Sequence, residues 1–244
     1  MGSNFGPYQT LPFYKAYERL FSTVQDVCFR DESSYAEFKH LPNVRTAPDV
    51  VFSMDTKGLN DTRIEKSVII SVIDLSWRDE LVNFQDDYEN SILKISEKLI
   101  ERGYKVVLMS FCQYEGDENA INRILSQTSD QNITKYFYDG DIEESIDIIN
   151  HSSGVIATRF HSMILGWIFK KPVFPFIYSN KTLNVLNDIE YDGYSLEIED
   201  IASINIDKVI SQTIENQPTD VSYEIERSHE NFSKFDQFMS LERM

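Results

Sequence analysis

The chain has 244 residues, a net charge of −17, and ordinary shares of apolar (41%) and charged (26%) residues. This length allows one large or two small domains with a real core. No run is long and apolar enough for a transmembrane helix, and the first residues lack the pattern of a signal peptide. Clustered Lys and Arg are missing, which argues against nucleic-acid binding. We expect a cytoplasmic globular protein, and a peripheral contact with a membrane stays open.

The cysteines and histidines give no metal-binding pattern. Cys28 and Cys112 each lie in an apolar run, which predicts two buried free thiols rather than a disulfide or a metal site. His40, His151 and His229 have no companion ligands, and there is no H-E-x-x-H motif. Dinucleotide and Walker motifs are also missing. We therefore predict no metal and no cofactor.

Residues 1–60 predict a partial α/β segment rather than a complete domain. The patterns favour helices and short strands, namely Phe13–Phe21 and Ser33–Phe38 as helices, Asp26–Phe29 as a strand, and Val50 and Val51 in another strand. Residues 57–66 are polar and predict a linker.

Strand and helix patterns alternate between residues 61 and 217. Apolar, β-branched runs predict strands at 67–73, 105–111, 133–138, 155–160 and 173–177. Helical periodicity predicts helices at 86–102, 117–128, 142–149, 162–169, 181–187 and 205–214. The alternation predicts right-handed crossovers and a doubly wound parallel sheet, that is, a Rossmann-like C-terminal domain.

The last segment, 218–244, begins with a helix-breaking proline, Pro218. Apolar residues then recur at helical spacing, at Val221, Ile225, Phe232, Phe235 and Phe238. We predict a C-terminal helix that crosses back to the N-terminal segment and covers an apolar surface there.

A doubly wound sheet binds ligands at the carboxyl ends of its strands. The loops predicted at that edge are Asp74–Arg78, Gln113–Asp117, Asp139–Asp141, Arg159–His161 and Ser179–Lys181. These loops are where we expect the functional residues.

Arg159 and His161 lie where a strand passes into a helix. Such a junction offers backbone N–H groups and the positive end of a helix dipole, which suit a phosphate or a carboxylate. Arg159 adds a bidentate donor, and His161 adds a group suited to acid–base catalysis. The alternative is a structural salt bridge for Arg159 and a helix cap for His161.

Two other loops carry weaker signals. Lys181 follows the next strand and is expected to reach the same pocket, although a solvated lysine is an equal alternative. Glu115 and Asp117 could bind sugar hydroxyls, but a solvated acidic turn with Asp117 as a helix N-cap is favoured. Glycoside hydrolysis is set aside because nothing pairs these carboxylates with a second acid.

The segment Ala157–Lys181 resembles the polysaccharide pyruvyl transferase family. The family's T-R-x-H motif falls on Thr158–His161, its proline on Pro172, and its Y-x-x-K motif on Tyr178–Lys181. Two earlier segments are also similar to family elements, V-C-F-R-D-E-S-S from Val27 and A-P-D-V-V-F from Ala47.

The resemblance implies a GT-B-like fold and an enzyme that moves a pyruvyl group from phosphoenolpyruvate to a sugar. The product would be a ketal in exopolysaccharide, capsule or cell-wall glycan biosynthesis, and the acceptor a sugar or a lipid-linked saccharide. It implies a catalytic role for His161 and substrate binding by Arg159, Lys181, Arg30 and Asn180. Arg30 would contact the donor or hold the domains together, and Asp49 would lie near the domain junction.

The sequence departs from the family at its N-terminus. Family members carry a further stretch with a Gly-rich I-G-N-x-G-D-like loop, and Gly2–Pro7 matches a position inside their first domain. A chain without that loop would lack half of the cleft. Two alternatives therefore stay open: a nucleotide-sugar glycosyltransferase of the same fold, and a truncated, inactive domain that binds glycans or partners.

Overall fold

The computed structural model describes residues 2–57, 59 and 65–241, which form two compact units. Unit 1 comprises the described parts of Met1–Asp55, Leu183–Tyr191 and Val221–Met244. Unit 2 comprises the described parts of Thr56–Thr182 and Asp192–Asp220. Residues 183–191 thus belong to unit 1, although the sequence pattern placed them within 61–217. The predicted linker at 57–66 lies largely outside the described residues.

Between residues 67 and 188 the helices and strands follow one another in the order that the sequence pattern indicates, whereas the short strand at Leu196–Glu197 was not predicted. In chain order they are α1 (Leu11–Thr23), β1 (Val27–Phe29), α2 (Glu32–Phe38), β2 (Val44–Thr46), β3 (Ser67–Ser71), α3 (Gln85–Glu101), β4 (Lys105–Ser110), α4 (Asp117–Leu125), β5 (Ile133–Phe137), α5 (Ile142–His151), β6 (Gly154–Ala157), α6 (Phe160–Ile168), β7 (Val173–Ile177), α7 (Asn180–Asp188), β8 (Leu196–Glu197), α8 (Ile206–Ile214), α9 (Ser222–Ser228) and α10 (Ser233–Leu241). None of the helices in the described ranges could cross a membrane, given their length and polarity.

Unit 1 is built around a two-stranded parallel sheet and a cluster of aromatic rings. Strands β1 and β2 pair with Val27 opposite Val44 and Phe29 opposite Thr46. The Phe38 ring is fully buried and lies 4.8 Å from the ring of Phe5 in an edge-to-face arrangement. Such aromatic pairs add stabilisation beyond the apolar area that they bury, so they compensate for the small sheet.

The second strand of unit 1 differs from the prediction. Val50 and Val51 do not form a strand; they begin a 3₁₀ helix, Val50–Ser53. Asp49 precedes this helix, and its side chain accepts a hydrogen bond from Val51 N at 3.0 Å. The carboxylate therefore turns the chain before the valines can pair, and β2 lies earlier, at Val44–Thr46.

The C-terminal segment is broken rather than one continuous helix. Helix α9 ends at Ser228, a 3₁₀ turn follows over His229–Phe232, and α10 then begins. The buried Asn231 side chain explains the break, because its Nδ2 donates to Ser228 O at 2.9 Å and to Pro48 O at 2.7 Å. The expected apolar face is also partly in solvent, with exposed fractions of 41–51% for Phe232, Phe235 and Phe238.

The two cysteines are free thiols, as predicted. Cys28 is buried, and burial raises the pKa of its thiol, so this group stays protonated and unreactive. Cys112 is only half-buried, and the prediction that both would be buried is wrong for it. Cys112 lies just after β4, where the chain turns toward the edge of the sheet.

Unit 2 is built on a parallel sheet with the strand order β5-β4-β3-β6-β7-β8. The predicted doubly wound α/β class is confirmed. All residues of β3, β6 and β7 are buried, which explains their continuous apolar runs. Strand β6 ends at Ala157 and α6 begins at Phe160, so Phe160 and His161 belong to the first helical turn and not to the strand.

Helix α3 shows how sequence periodicity sets the packing of unit 2. Tyr88, Ile92, Ile95 and Leu99 recur every three or four residues, and all four are fully buried against the sheet. Gly103 takes a φ of +80°, which a glycine adopts without strain and which ends the helix.

Gly154 is expected to be irreplaceable at the start of β6. A Cβ atom there would lie 2.0 Å from the carbonyl oxygen of Thr213 on α8. We expect Gly154→Ala to lower the free energy of unfolding by about 3 kcal/mol, because strand and helix backbones would have to separate. Denaturant unfolding measures the change. The adjacent Ser153→Ala is the control, and an equal loss in both variants would contradict the role of this close approach.

Candidate functional site

The turn from β6 into α6 is held by hydroxyl groups. The Ser71 hydroxyl accepts hydrogen bonds from Thr158 N at 2.9 Å and from Arg159 N at 3.0 Å. It also lies 2.6 Å from Ser162 Oγ, which donates to Arg159 O. On the other side, Tyr88 Oη contacts Thr158 Oγ1 at 2.8 Å. Every one of these groups is buried, so the backbone at Arg159 has a fixed position.

Asp117 fixes the side chain of Arg159. Its Oδ2 accepts from Arg159 Nε at 2.9 Å and from the backbone N–H groups of Phe111 and Cys112 at 3.0 Å, and its Oδ1 accepts from Arg159 Nη2. Asp117 is fully buried. The prediction of a solvated N-cap is therefore wrong: Gly116, with a φ of +79°, is the N-cap of α4.

Glu115 extends this pair into a chain of alternating charges. Its Oε2 lies 2.8 Å from Arg159 Nη1 and 2.8 Å from Arg78 Nη2. The guanidinium of Arg78 also lies over the ring of Tyr178, 4.7 Å from its centroid. The sequence pattern placed Arg78 in a loop at the correct edge but gave no reason to single it out, because the contact with Glu115 spans 37 positions.

Lys181 and His161 flank one aromatic ring. The Lys181 Nζ lies 5.8 Å from the ring centroid of Phe160 and 5.5 Å from that of Tyr178. The ring centroid of His161, an exposed residue in the first turn of α6, lies 5.3 Å from the Phe160 centroid. The structure therefore brings Lys181 and His161 to the same edge of unit 2, as the loop positions predicted.

The beginning of α7 carries hydroxyl groups with unused hydrogen-bonding capacity. Within the described chain, Tyr178 Oη, Ser179 Oγ and Thr182 Oγ1 are buried and have no hydrogen-bond partner. Buried polar groups normally have hydrogen-bond partners, so these three hydroxyls are available to donate to a bound group. Asn180, the first residue of α7, is exposed beside Lys181.

Arg30 lies in unit 1, while Arg159, His161, Asn180 and Lys181 lie in unit 2. Its Nη1 forms a salt bridge with the buried Asp49 Oδ2 at 2.7 Å, and its Nη2 donates to Asn4 Oδ1 at 3.0 Å.

A cavity of about 60 Å³ in unit 1 is lined by the Arg30–Asp49 pair and by Asp188 and Arg227. Burial raises the pKa of Asp188 to about 6, and the nearby carboxylates of Asp31 and Glu32 add to the effect. A volume of this size accommodates a few water molecules.

Solved structures of low sequence identity share the fold of this chain. A UDP-GlcNAc 2-epimerase from Methanocaldococcus jannaschii superimposes with a TM-score of 0.54 and 9% identity, over 86% of this chain and 61% of that one. An alpha,alpha-trehalose-phosphate synthase from Burkholderia vietnamiensis gives a TM-score of 0.53 and 11% identity, over 95% of this chain and 64% of that one. The chain therefore has the GT-B-like α/β fold.

Sequence similarity places the chain more narrowly. The profile of the polysaccharide pyruvyl transferase family matches residues 1–180 of the 244, and the chain belongs to this family. A curated relative is the amylovoran biosynthesis protein AmsJ of Erwinia amylovora, 24% identical over 240 residues. The match covers 88% of this chain and 57% of AmsJ, so the chain spans little more than half of that relative.

The buried pair of Asp117 and Arg159 gives a stability prediction. Asp117→Asn leaves the Arg159 guanidinium buried without its main counter-charge. We expect the free energy of unfolding to fall by about 3–5 kcal/mol, as for other broken buried ion pairs. Denaturant unfolding measures the loss, with the neighbouring Glu118→Gln as the control. A loss below about 1 kcal/mol, the range of surface pairs, would contradict the central place of this contact.

Asp188 gives a pH prediction for unit 1. Between the ordinary pKa of 3.8 and the raised value of about 6, the folded chain holds a proton that the unfolded chain releases. Stability therefore falls as pH rises through this window. Above pH 6 we expect the free energy of unfolding of Asp188→Asn to exceed that of the original chain by about 1 kcal/mol, and at pH 3.5 we expect no difference. The effect is this small because the Asp188 carboxyl is partly in contact with solvent. Thermal unfolding at both pH values, with exposed Asp192→Asn as the control, measures it. A gain independent of pH would show that the Asp188 proton is not its source.

Proposed function

We propose that this chain transfers the pyruvyl group of phosphoenolpyruvate to a pair of sugar hydroxyls, in exopolysaccharide, capsule or cell-wall glycan biosynthesis. Membership of the polysaccharide pyruvyl transferase family supports the class of reaction. The observation that carries the proposal is the convergence of Arg159, Lys181 and the first turn of α6 at one edge of the sheet in unit 2.

The cations at this edge suit the donor. Phosphoenolpyruvate carries a carboxylate and a phosphate, and the chain as a whole has a net charge of −17. An acidic protein binds such a ligand only where cations and helix N-termini are concentrated locally. Arg159 supplies a guanidinium whose Nη1 lies outside its pair with Asp117, Lys181 a mobile point charge, and the start of α6 the positive end of a helix dipole.

The unpartnered hydroxyls at the start of α7 support the same assignment. Ser179 and Thr182 can each donate one hydrogen bond to an anionic oxygen. Asn180 adds an exposed amide next to Lys181. We assign Asn180 to substrate binding on this ground. Arg30 is assigned to substrate binding on its place in the family motif alone, since Asp49 and Asn4 hold its guanidinium in unit 1.

The reaction needs a proton to move at each of two stages. Ketal formation adds a proton to the methylene carbon of the donor, joins both sugar oxygens to the adjacent carbon, and breaks the bond to phosphate. One hydroxyl proton becomes part of the new methyl group, and the other leaves on the released phosphate. We assign the proton transfer to His161, because an imidazole changes charge near neutral pH and this one lies exposed beside the anion site.

His161→Ala tests the catalytic assignment. We expect a rate of phosphate release about 10²–10⁴-fold lower in the presence of saccharide acceptors, because a general acid–base group contributes this much. Phosphoenolpyruvate binding, measured by calorimetry, should change far less, since Arg159 and Lys181 stay in place. His229→Ala is the matched control, an exposed histidine in unit 1.

One outcome would overturn the role of His161, and two others would overturn the proposed reaction. Near-normal turnover of His161→Ala would remove His161 from the reaction. Titration of the unmodified chain with nucleotide sugars in place of phosphoenolpyruvate separates this reaction from glycosyl transfer. Binding of the nucleotide sugar alone would favour a glycosyltransferase, and binding of neither would favour a domain without this activity.

A further inference from the structure

Glu115 occupies a position that favours an anion. Its Oε2 lies 2.8 Å from both Arg78 Nη2 and Arg159 Nη1. Burial acts to raise the pKa of Glu115, but the hydrogen bond from Arg159 and the charges of Arg159, Arg78 and Lys181 outweigh it and lower this pKa. A single carboxylate oxygen thus accepts from two arginines within the field of a lysine.

Glu115 and Asp117 contact the same arginine but differ in how firmly they are held. Asp117 is fully buried and accepts from two backbone N–H groups as well as from Arg159. The Glu115 side chain is 44% exposed, and the contacts described for it are those with the two arginines. Glu115 can therefore leave toward solvent, whereas Asp117 cannot.

The departure of Glu115 would leave a prepared site. Asp117 would still neutralise and orient Arg159, and the ring of Tyr178 would still support Arg78, 4.7 Å away. Arg159 Nη1 and Arg78 Nη2 would then both point at the vacated oxygen position, near Lys181. Paired guanidinium donors around one oxygen match the geometry of a phosphate or a carboxylate.

We propose that Glu115 is an internal substitute for an anionic group of the ligand, which displaces it and is then bound by Arg78 together with Arg159. This inference rests on the proposed function, because the ligand meant is the phosphate or carboxylate of phosphoenolpyruvate. It makes Arg78 a further binding residue, and it makes Glu115 a competitor that lowers affinity for the donor.

The experiment compares ion-pair variants at this site with the same changes at a remote pair. Glu115→Gln and Arg78→Met alter the site. Glu215→Gln and Arg102→Met make identical changes of charge at a surface pair of the same 2.8 Å separation, with the Glu215 side chain 50% and the Arg102 side chain 45% exposed. Calorimetry measures the Kd of each protein for phosphoenolpyruvate and, separately, for inorganic phosphate.

Opposite effects are expected from the two partners of the pair. Glu115→Gln should bind both anions about 2- to 5-fold more tightly, because a partly exposed competing charge is removed. Arg78→Met should bind them about tenfold more weakly, because a charge-assisted donor is lost. Arg78→Lys, which keeps the charge but not the fork, should fall between. Both remote variants should match the unmodified chain. If the ion pair were only structural, substituting either Glu115 or Arg78 would weaken anion binding or leave it unchanged.

The outcomes separate this inference from the proposed function. Binding of phosphoenolpyruvate with unchanged or weaker affinity in Glu115→Gln would overturn the inference and leave the function standing. If inorganic phosphate binds, and binds more tightly to Glu115→Gln, but phosphoenolpyruvate does not bind, the displacement of Glu115 by an anion would be supported. Phosphoenolpyruvate would then be ruled out as the donor. No binding of either anion to any variant would overturn both.

Discussion

The ion pair between Asp117 and Arg159 is the contact on which the rest of the site depends. Asp117 lies at the first residue of α4 and accepts from the backbone after β4, while Arg159 precedes α6. The pair therefore joins the carboxyl ends of two strands that are not neighbours in the sheet, since β3 lies between them. Its burial makes it costly to break and gives Arg159 one orientation.

This arrangement explains how an acidic chain can present a cationic edge. Asp117 uses one side of the Arg159 guanidinium, and Glu115 the other. The rings of Phe160 and Tyr178 lie next to Lys181, and Tyr178 also supports Arg78. A ring contact holds a cation without cancelling its charge, and of these two cations Arg78 also pairs with Glu115. The charge balance of the site is therefore set by the one partly exposed carboxylate of Glu115.

The sequence alone predicted local patterns and failed where distant residues meet. Strands such as β3 and the buried face of α3 follow from periodicity, and the T-R-F-H turn pointed to Arg159 and His161. The role of Asp117 was misjudged, because its place before an apolar helix looks the same whether the side chain caps that helix or turns inward. Arg78 was missed for a similar reason: its partner is 37 positions away. Val50 and Val51 have strand propensity, but the Asp49 cap overrides it.

The Ser71 hydroxyl has a consequence for how unit 2 folds. Ser71 pairs with Ala157 in the register of β3 and β6, and its side chain accepts from the next two amides, those of Thr158 and Arg159. A slip of one position would put Ile70 or Val72 there, so the buried Arg159 N–H would lose its hydroxyl acceptor and the Thr158 N–H would keep only a backbone carbonyl. Correct strand alignment and the geometry of the turn from β6 into α6 are thus the same condition, so a misaligned sheet would be penalised at Thr158 and Arg159.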